Sequence, residues 1–156
     1  MHKKRPRAIA ICIFSHNGRI LVAEGYDLVK RVYFYRPVGG GIEYGEYSKD
    51  ALVREIREEI GAEMTQQRYL GTIENIFLYN SEQGHEIAFI YDARFTNPSL
   101  YTKERIEGIE DDNSPFTIVW KPLSFFREGQ ASLYPDGLLE LLVSLGYDID
   151  MPLTQE

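Results

Sequence analysis

Residues 7–14, Arg-Ala-Ile-Ala-Ile-Cys-Ile-Phe, are apolar at every position after the first and rich in β-branched side chains. Such a run lacks the polar alternation of a half-exposed strand and reads as a central strand of a sheet. His16-Asn17-Gly18-Arg19 follows, and Asn-Gly is the strongest short hairpin signal, because both central positions accept positive φ. Residues 19–24 therefore read as the returning strand, 25–31 as a polar loop, and the aromatic-rich stretch 32–38 as another strand that runs into a turn at Gly39-Gly40-Gly41.

Ser48 to Ile60 reads as a helix with both ends marked. Ser48 suits the N-cap, Asp50 puts negative charge in the first turn, and Gly61 suits the C-terminal cap. Leu52, Val53, Ile56 and Ile60 recur at helical spacing and give it an apolar face. Beyond it, residues 68–79 and 86–95 read as paired strands across the loop 80–84, and 116–121 as a last strand. Residues 135–145 read as a closing amphipathic helix whose leucines, Leu145 among them, face inward. Strands and helices interleave with a β-rich bias, which makes the expected fold class α/β, in layers. At 156 residues the chain is expected to form a single domain, 1–156, with a core of ordinary size.

The helix carries more charge than folding needs. At ~100° per residue, Glu55 and Glu59 stack nearly above one another with Glu58 beside them, and like charges so placed cost a few tenths of a kcal/mol per pair. An oxygen-rich cluster of this kind is what Mg²⁺ or Mn²⁺ requires. A solvated helix laced by ion pairs, with Arg54 and Glu58 at i,i+4, is the competing reading. It leaves the glycines and Glu46 unexplained.

Those glycines and the helix form one pattern. GGIEYGEYSKDALVREIREEIGA, residues 40–62, resembles the Nudix box, with Gly40, Glu46, Arg54, Glu55, Ile56, Glu58, Glu59 and Gly61 in register and Ala62 at the last hydrophobic position. The resemblance implies an α/β/α sandwich with a mixed β-sheet, and a metal-dependent pyrophosphohydrolase that cuts a nucleoside diphosphate linked to another moiety. It implies Glu55, Glu58, Glu59 and the Gly40 carbonyl as ligands of Mg²⁺ or Mn²⁺. Arg54 and Glu46 would tie loop to helix and orient the carboxylates. The metal would withdraw charge from the anhydride and lower the pKa of a bound water. The base that takes the water's proton would be Glu55 or, as in many members, a carboxylate from a late loop, for which Glu107 and Glu110 are the candidates.

Two residues outside the box are candidate substrate contacts. Arg36, at the end of the strand entering the glycines, is within reach of a phosphate, although a structural arginine on a strand edge reads equally well. Tyr79 lies 17 residues past the box, near where diadenosine-polyphosphate-hydrolysing relatives carry a tyrosine; coincidence competes in a chain with eleven tyrosines. Phe77 stands where the ADP-ribose-hydrolysing relatives favour proline. His85 reads as a hairpin histidine with a local hydrogen bond, and Trp120, Phe125 and Phe126 as core. Loops 25–31, 80–85 and 101–114 are expected to line the pocket.

Composition narrows the partners. A net charge of −7 argues against non-specific binding to nucleic acid or an anionic membrane, while a polyphosphate remains accessible through bridging cations. The expected partner is a small nucleotide-like molecule, and a homodimer is compatible with the family. No stretch approaches transmembrane length. Cys12, the only cysteine, sits in the first apolar run and reads as a buried, inert thiol that suits a reducing cytoplasm. The alternative, a non-catalytic Nudix-fold module that binds a nucleotide as a sensor, usually involves lost box glutamates and a fused second domain; this chain retains every glutamate of the box.

Overall fold

The computed structural model describes residues 4–148. Their strands are β1 (Arg7–Ile13), β2 (Ser15–His16), β3 (Arg19–Asp27), β4 (Val32–Gly41), β5 (Met64–Tyr79), β6 (Glu82–Phe95), β7 (Arg105–Ile109), β8 (Pro115–Pro122) and β9 (Ser132–Leu133). The helices are α1 (Ser48–Ile60), α2 (Leu123–Arg127) and α3 (Leu138–Ser144), with a 3₁₀ turn at Pro98–Tyr101. One mixed sheet runs β5-β6-β1-β4-β3-β8-β7, with β2 beside β3 and β9 beside β4. Among the described residues only the β1–β6 and β4–β9 pairings are parallel.

The opening apolar run is central, as its composition requires. Ala10, Cys12 and Phe14 face one core with Leu52 and Ile56 of α1, while Ile9, Ile11 and Ile13 face another with Leu138 and Leu142 of α3. A strand buried on both faces must be apolar throughout, and helices on both sides make this the expected α/β/α sandwich. Cys12 is fully buried, and burial pushes its thiol well above the usual range. Phe14 stacks on Phe95 in the α1-side core with ring centroids 3.8 Å apart. Trp120 and Phe126 are likewise core, the Trp120 indole N–H donating to the Leu100 carbonyl.

Asn17 and Gly18 both take positive φ, at 53° and 72°, and turn β2 into β3 as expected. Several local expectations are corrected. Gly39, Gly40 and Gly41 are strand, not turn: they end β4 and pair with Ile11, Ala10 and Ile9 of β1. Residues 25–27 belong to β3, so the expected 25–31 loop shortens to a turn at 28–31, and the 80–84 loop shrinks to Asn80 and Ser81, both at positive φ. Residues 105–109 of the expected acidic loop form β7, where buried Ile106 and Gly108 alternate with exposed neighbours. Residues 116–121 therefore lie in β8, which is not the last strand. Ser48 does not cap α1; Tyr47 holds the N-cap position without a side-chain bond, and the Ser48 hydroxyl pairs with the Tyr91 hydroxyl at 2.7 Å. Gly61 caps the other end at φ 72°, as its type suggests. Leu145 lies outside α3 and is half exposed. Among the described residues no helix is long and apolar enough to cross a membrane.

The strand β4 divides its partners. Residues 32–37 pair with β3, residues 38–41 pair with β1, and Phe34 and Tyr35 also pair with β9. A cavity of about 370 Å³ reaches Ile9 and Ile11 of β1, Phe34 and Arg36 of β4, and Phe77 of β5.

Candidate active site

Leu52 and Ile56 pin α1 to the sheet, and that fixes the direction of everything else on the helix. Glu55, one position before Ile56, is drawn inward to 5% exposure, while Glu58 stays open to solvent. Glu55 lies directly over Gly40: a Cβ built there would stand 1.8 Å from its Oε1. Gly39 is required for a second reason, because at φ +144° its Cβ would meet the Ala10 carbonyl at 2.1 Å. The consecutive glycines thus let β4 lie close to both β1 and the helix.

Arg54 is the hub. Its guanidinium grips the Glu46 carboxylate in bidentate fashion at 2.9 Å through Nε and Nη2, and Nη2 also donates to the Gly41 carbonyl at 3.0 Å. The other fork, Nη1, donates to Glu55 at 2.6 Å and to Glu58 at 3.4 Å. One arginine therefore ties the end of β4, the following loop and the helix into a single unit, a geometry that lysine's point charge could not supply. The Glu46 carboxyl is held down at about 2 by that pairing and by the Glu43 N–H.

Arg54 does not balance the charge around it. Oxygens of Glu55, Glu58 and Asp111 come within 4.8 Å of one another. Burial raises the Glu55 carboxyl even against the adjacent guanidinium. Glu59 is pushed up to about 8, chiefly by burial, then by Glu55 and Glu110, with Arg36 opposing. Carboxylates gathered in this way lack countercharge from the protein, and a hard divalent cation with oxygen ligands is the group that would supply it.

The sequence candidates are distributed as follows. Glu55 and Glu58 belong to the cluster, and Glu59 feels Glu55, Glu110 and Asp111 electrostatically. Glu110, at the turn from β7 to β8, lines the cavity. Glu107 is in β7 opposite Thr117 and is brought neither to the cluster nor to the cavity. Arg36 and Tyr79 both line the cavity; Arg36 stands 4.0 Å from Glu86, and the Tyr79 ring meets Phe34 edge-on at 5.4 Å. His85 pairs with Glu74 across the hairpin at 2.9 Å. Asp111 was not singled out, and only its place in the run Glu110-Asp111-Asp112 hinted at it. The pocket loops are also corrected. Gly25, Asp27, Lys30 and Glu110 contribute to the wall, but nothing from 80–85 does, and much of the rest comes from β5 and residues 132–135.

The cavity is a box of rings beside charge. Phe34 meets Tyr134 edge-on at 5.7 Å and Phe77 lies 6.3 Å from Tyr134, while Arg36, Glu86 and Glu110 face the same space. Through Arg36 and Glu110, both of which act on Glu59, the box adjoins the carboxylates of α1.

A family model described as NUDIX domain matches residues 4–115. The CTP pyrophosphohydrolase of Escherichia coli K12 is 33% identical over 64 residues, 41% of this chain and 47% of that protein. The match therefore spans about half the length of that curated relative. Among solved structures, a NUDIX hydrolase from Nitrosomonas europaea superposes with a TM-score of 0.63 at 15% identity, covering 96% of this chain and 94% of its own. The MutT NUDIX hydrolase from Burkholderia pseudomallei does so with a TM-score of 0.55 at 22% identity, covering 78% and 86%. At those identities the likeness is one of fold.

Proposed function

The chain belongs to the NUDIX family, and on that premise we propose that it hydrolyses a phosphoanhydride in a nucleoside diphosphate linked to another moiety, with Mg²⁺ or Mn²⁺ as cofactor. The observation that carries the reading is the adjacency of an aromatic cavity to a carboxylate cluster, with Arg36 and Glu110 serving both. Flat rings suit a nucleoside, and the cluster suits the cation that accompanies a polyphosphate. The fold is read as one domain over the whole chain, because β8, β9 and α3, beyond the matched span, complete the same sheet and core.

Glu55, Glu58 and Asp111 would hold the cation, with Glu59 and the Gly40 carbonyl beside them. When bound, it would neutralise phosphate charge and act as a Lewis acid. The chain's own residues do the remainder. Arg54 fixes the Glu55 carboxylate by a 2.6 Å hydrogen bond, so that little reorganisation is needed when charge develops at phosphorus. Arg36 offers a guanidinium fork to a phosphate at the cavity mouth. Phe34, Phe77 and Tyr134 exclude water from the nucleoside end, and Tyr79 flanks it. A carboxylate oxygen of Glu110 takes the proton of the attacking water; Glu55 is less free to do so while it accepts from Arg54.

A product screen by ion-exchange chromatography tests this reading, following monophosphate and pyrophosphate formation from nucleoside triphosphates, dinucleoside polyphosphates, ADP-ribose and other nucleotide sugars with Mg²⁺ or Mn²⁺. Similarity to a CTP pyrophosphohydrolase puts the triphosphates first. Turnover is expected for at least one compound, abolished by chelator and reduced at least about a hundredfold in Glu58→Gln. Full activity in that variant, or in the presence of chelator, would remove the metal assignment. Glu110→Gln should impair turnover where Glu107→Gln does not; if both are harmless, Glu55 becomes the base.

A further inference from the structure

The wall of rings is interrupted by one buried amide. Asn75 sits in β5 at 4% exposure, lines the cavity, and pairs across the sheet with Glu86. Its Oδ1 accepts the backbone N–H of Asp136 at 3.4 Å. That contact orients the side chain, since a backbone N–H can face only the acceptor end of an amide. The donor end, Nδ2, is left with no acceptor among the described residues, and it retains access to the cavity space.

A purely structural role explains half of this side chain. The bond to Asp136 ties β5 to the segment before α3, yet it uses only the oxygen. A wall shared with Ile11, Phe34 and Phe77 is better completed by an apolar residue, whereas a largely buried amide whose donor end opens on a cavity without a protein partner is left for whatever enters that cavity. The unused donor faces the space that the proposed function gives to the nucleoside portion, and the present inference rests on that reading. Rings supply stacking to any flat heterocycle, whereas a fixed donor separates heterocycles by where they carry an acceptor.

We propose that Asn75 determines base specificity, its Nδ2 donating a hydrogen bond to a carbonyl oxygen or ring nitrogen of the bound heterocycle. A base that presents N–H at that point leaves two donors opposed, and one that presents C–H leaves Nδ2 unpaired; both are rejected.

Binding rather than turnover provides the test. AMP, GMP, CMP, UMP and the baseless ribose 5-phosphate are titrated calorimetrically into the wild type, Asn75→Leu and Asn75→Asp. The wild type should favour its best nucleotide over its worst by at least about tenfold. Asn75→Leu should compress that spread to about twofold while leaving ribose 5-phosphate unchanged. Asn75→Asp preserves shape but replaces the donor with an acceptor, so it should weaken the preferred nucleotide about tenfold and still report if the leucine variant fails to fold. The proposal is overturned by a flat or undetectable wild-type series, by an unchanged spread in the variants, or by parallel weakening that includes ribose 5-phosphate. Discrimination among monophosphates without turnover of any compound in the screen would sink the hydrolase reading alone; turnover with an unaltered spread would sink this one alone.

Discussion

A methyl group on Gly40 has no free space, because Glu55 Oε1 would be 1.8 Å from it. Something must shift, and the carboxylate is the softer of the two. Gly40→Ala is therefore expected to fold with a loss of about 1–3 kcal/mol, as overpacking usually costs. Turnover should fall by about a hundredfold, because a catalytic group displaced by about 1 Å loses that much. Thermal melts and steady-state rates on the same preparation would separate the two effects. Glu46 offers a second test at this scale. Its carboxyl is lowered to about 2 from an ordinary 4.5, so the native state binds fewer protons than the unfolded one across that interval. The stabilisation is complete above about pH 5 and is lost as pH falls towards 2. Denaturant titrations of Glu46→Gln should show a shallower loss of stability over the same window; an identical slope would mean that Arg54 gains nothing from the pairing in the folded state. Box residues were legible because their spacing along one helix and its approach fixes their geometry. Asp111 and Asn75 were not, since each sits in a hairpin that reaches the site only by pairing with a strand far away in the chain, β6 with β1 and β8 with β3.

Among the elements, the two hairpin tips beside the cavity act as one. The Asp27 carboxylate accepts from the Val29 and Lys30 N–H groups at 2.9 Å, and from Asn80 N–H in the other hairpin at 3.1 Å. Asn80 returns the contact by accepting from Leu28 N–H at 2.8 Å, and the Lys30 ammonium donates to the Leu78 carbonyl at 3.0 Å. The β3–β4 tip brings Lys30 and Val32 to the cavity, and the β5–β6 tip brings Leu78 and Tyr79. Asp27→Ala should loosen both walls without touching the carboxylate cluster. The expected result is a KM raised about tenfold or more with kcat little changed, together with faster hydrogen exchange at Val29, Lys30 and Asn80. Equal loss in kcat would assign Asp27 a different role. Strands and α1 were readable from periodicity and end signals. The glycines of β4 and the strand β7, with Arg105, Glu107 and Gly108, were not, because glycine and charge mark turns and loops unless a partner strand supplies the hydrogen bonds. Ile106 and Gly108 acquire their inward direction only from Phe116 and Ile118 of β8.

For the molecule as a whole, one sheet separates two cores, so damage to one should not propagate to the other. Leu52 packs on the α1 side and Leu142 on the α3 side, both fully buried. Each Leu→Ala change should cost about 2–5 kcal/mol. The double variant should match the sum within about 0.5 kcal/mol in equilibrium denaturation, and a larger discrepancy would mean that β1 transmits strain between the faces. The sandwich itself was legible from a strand apolar on both faces. The cavity was not, because its wall is assembled from β1, β3, β4, β5 and β6, which come together only through long-range pairing.

The way the cavity is walled has a consequence for how such a chain can be altered. Its lining is drawn from several strands and from the segment before α3, so that no single side chain encloses it. Phe34, Asn75, Phe77 and Tyr134 furnish a room whose walls are already standing. They can be exchanged for others while the ladder of β1, β4 and β3, and with it the seat of Glu55, stays in place. Chemistry and selectivity are thereby separable, and a new substrate can be acquired by refurnishing alone.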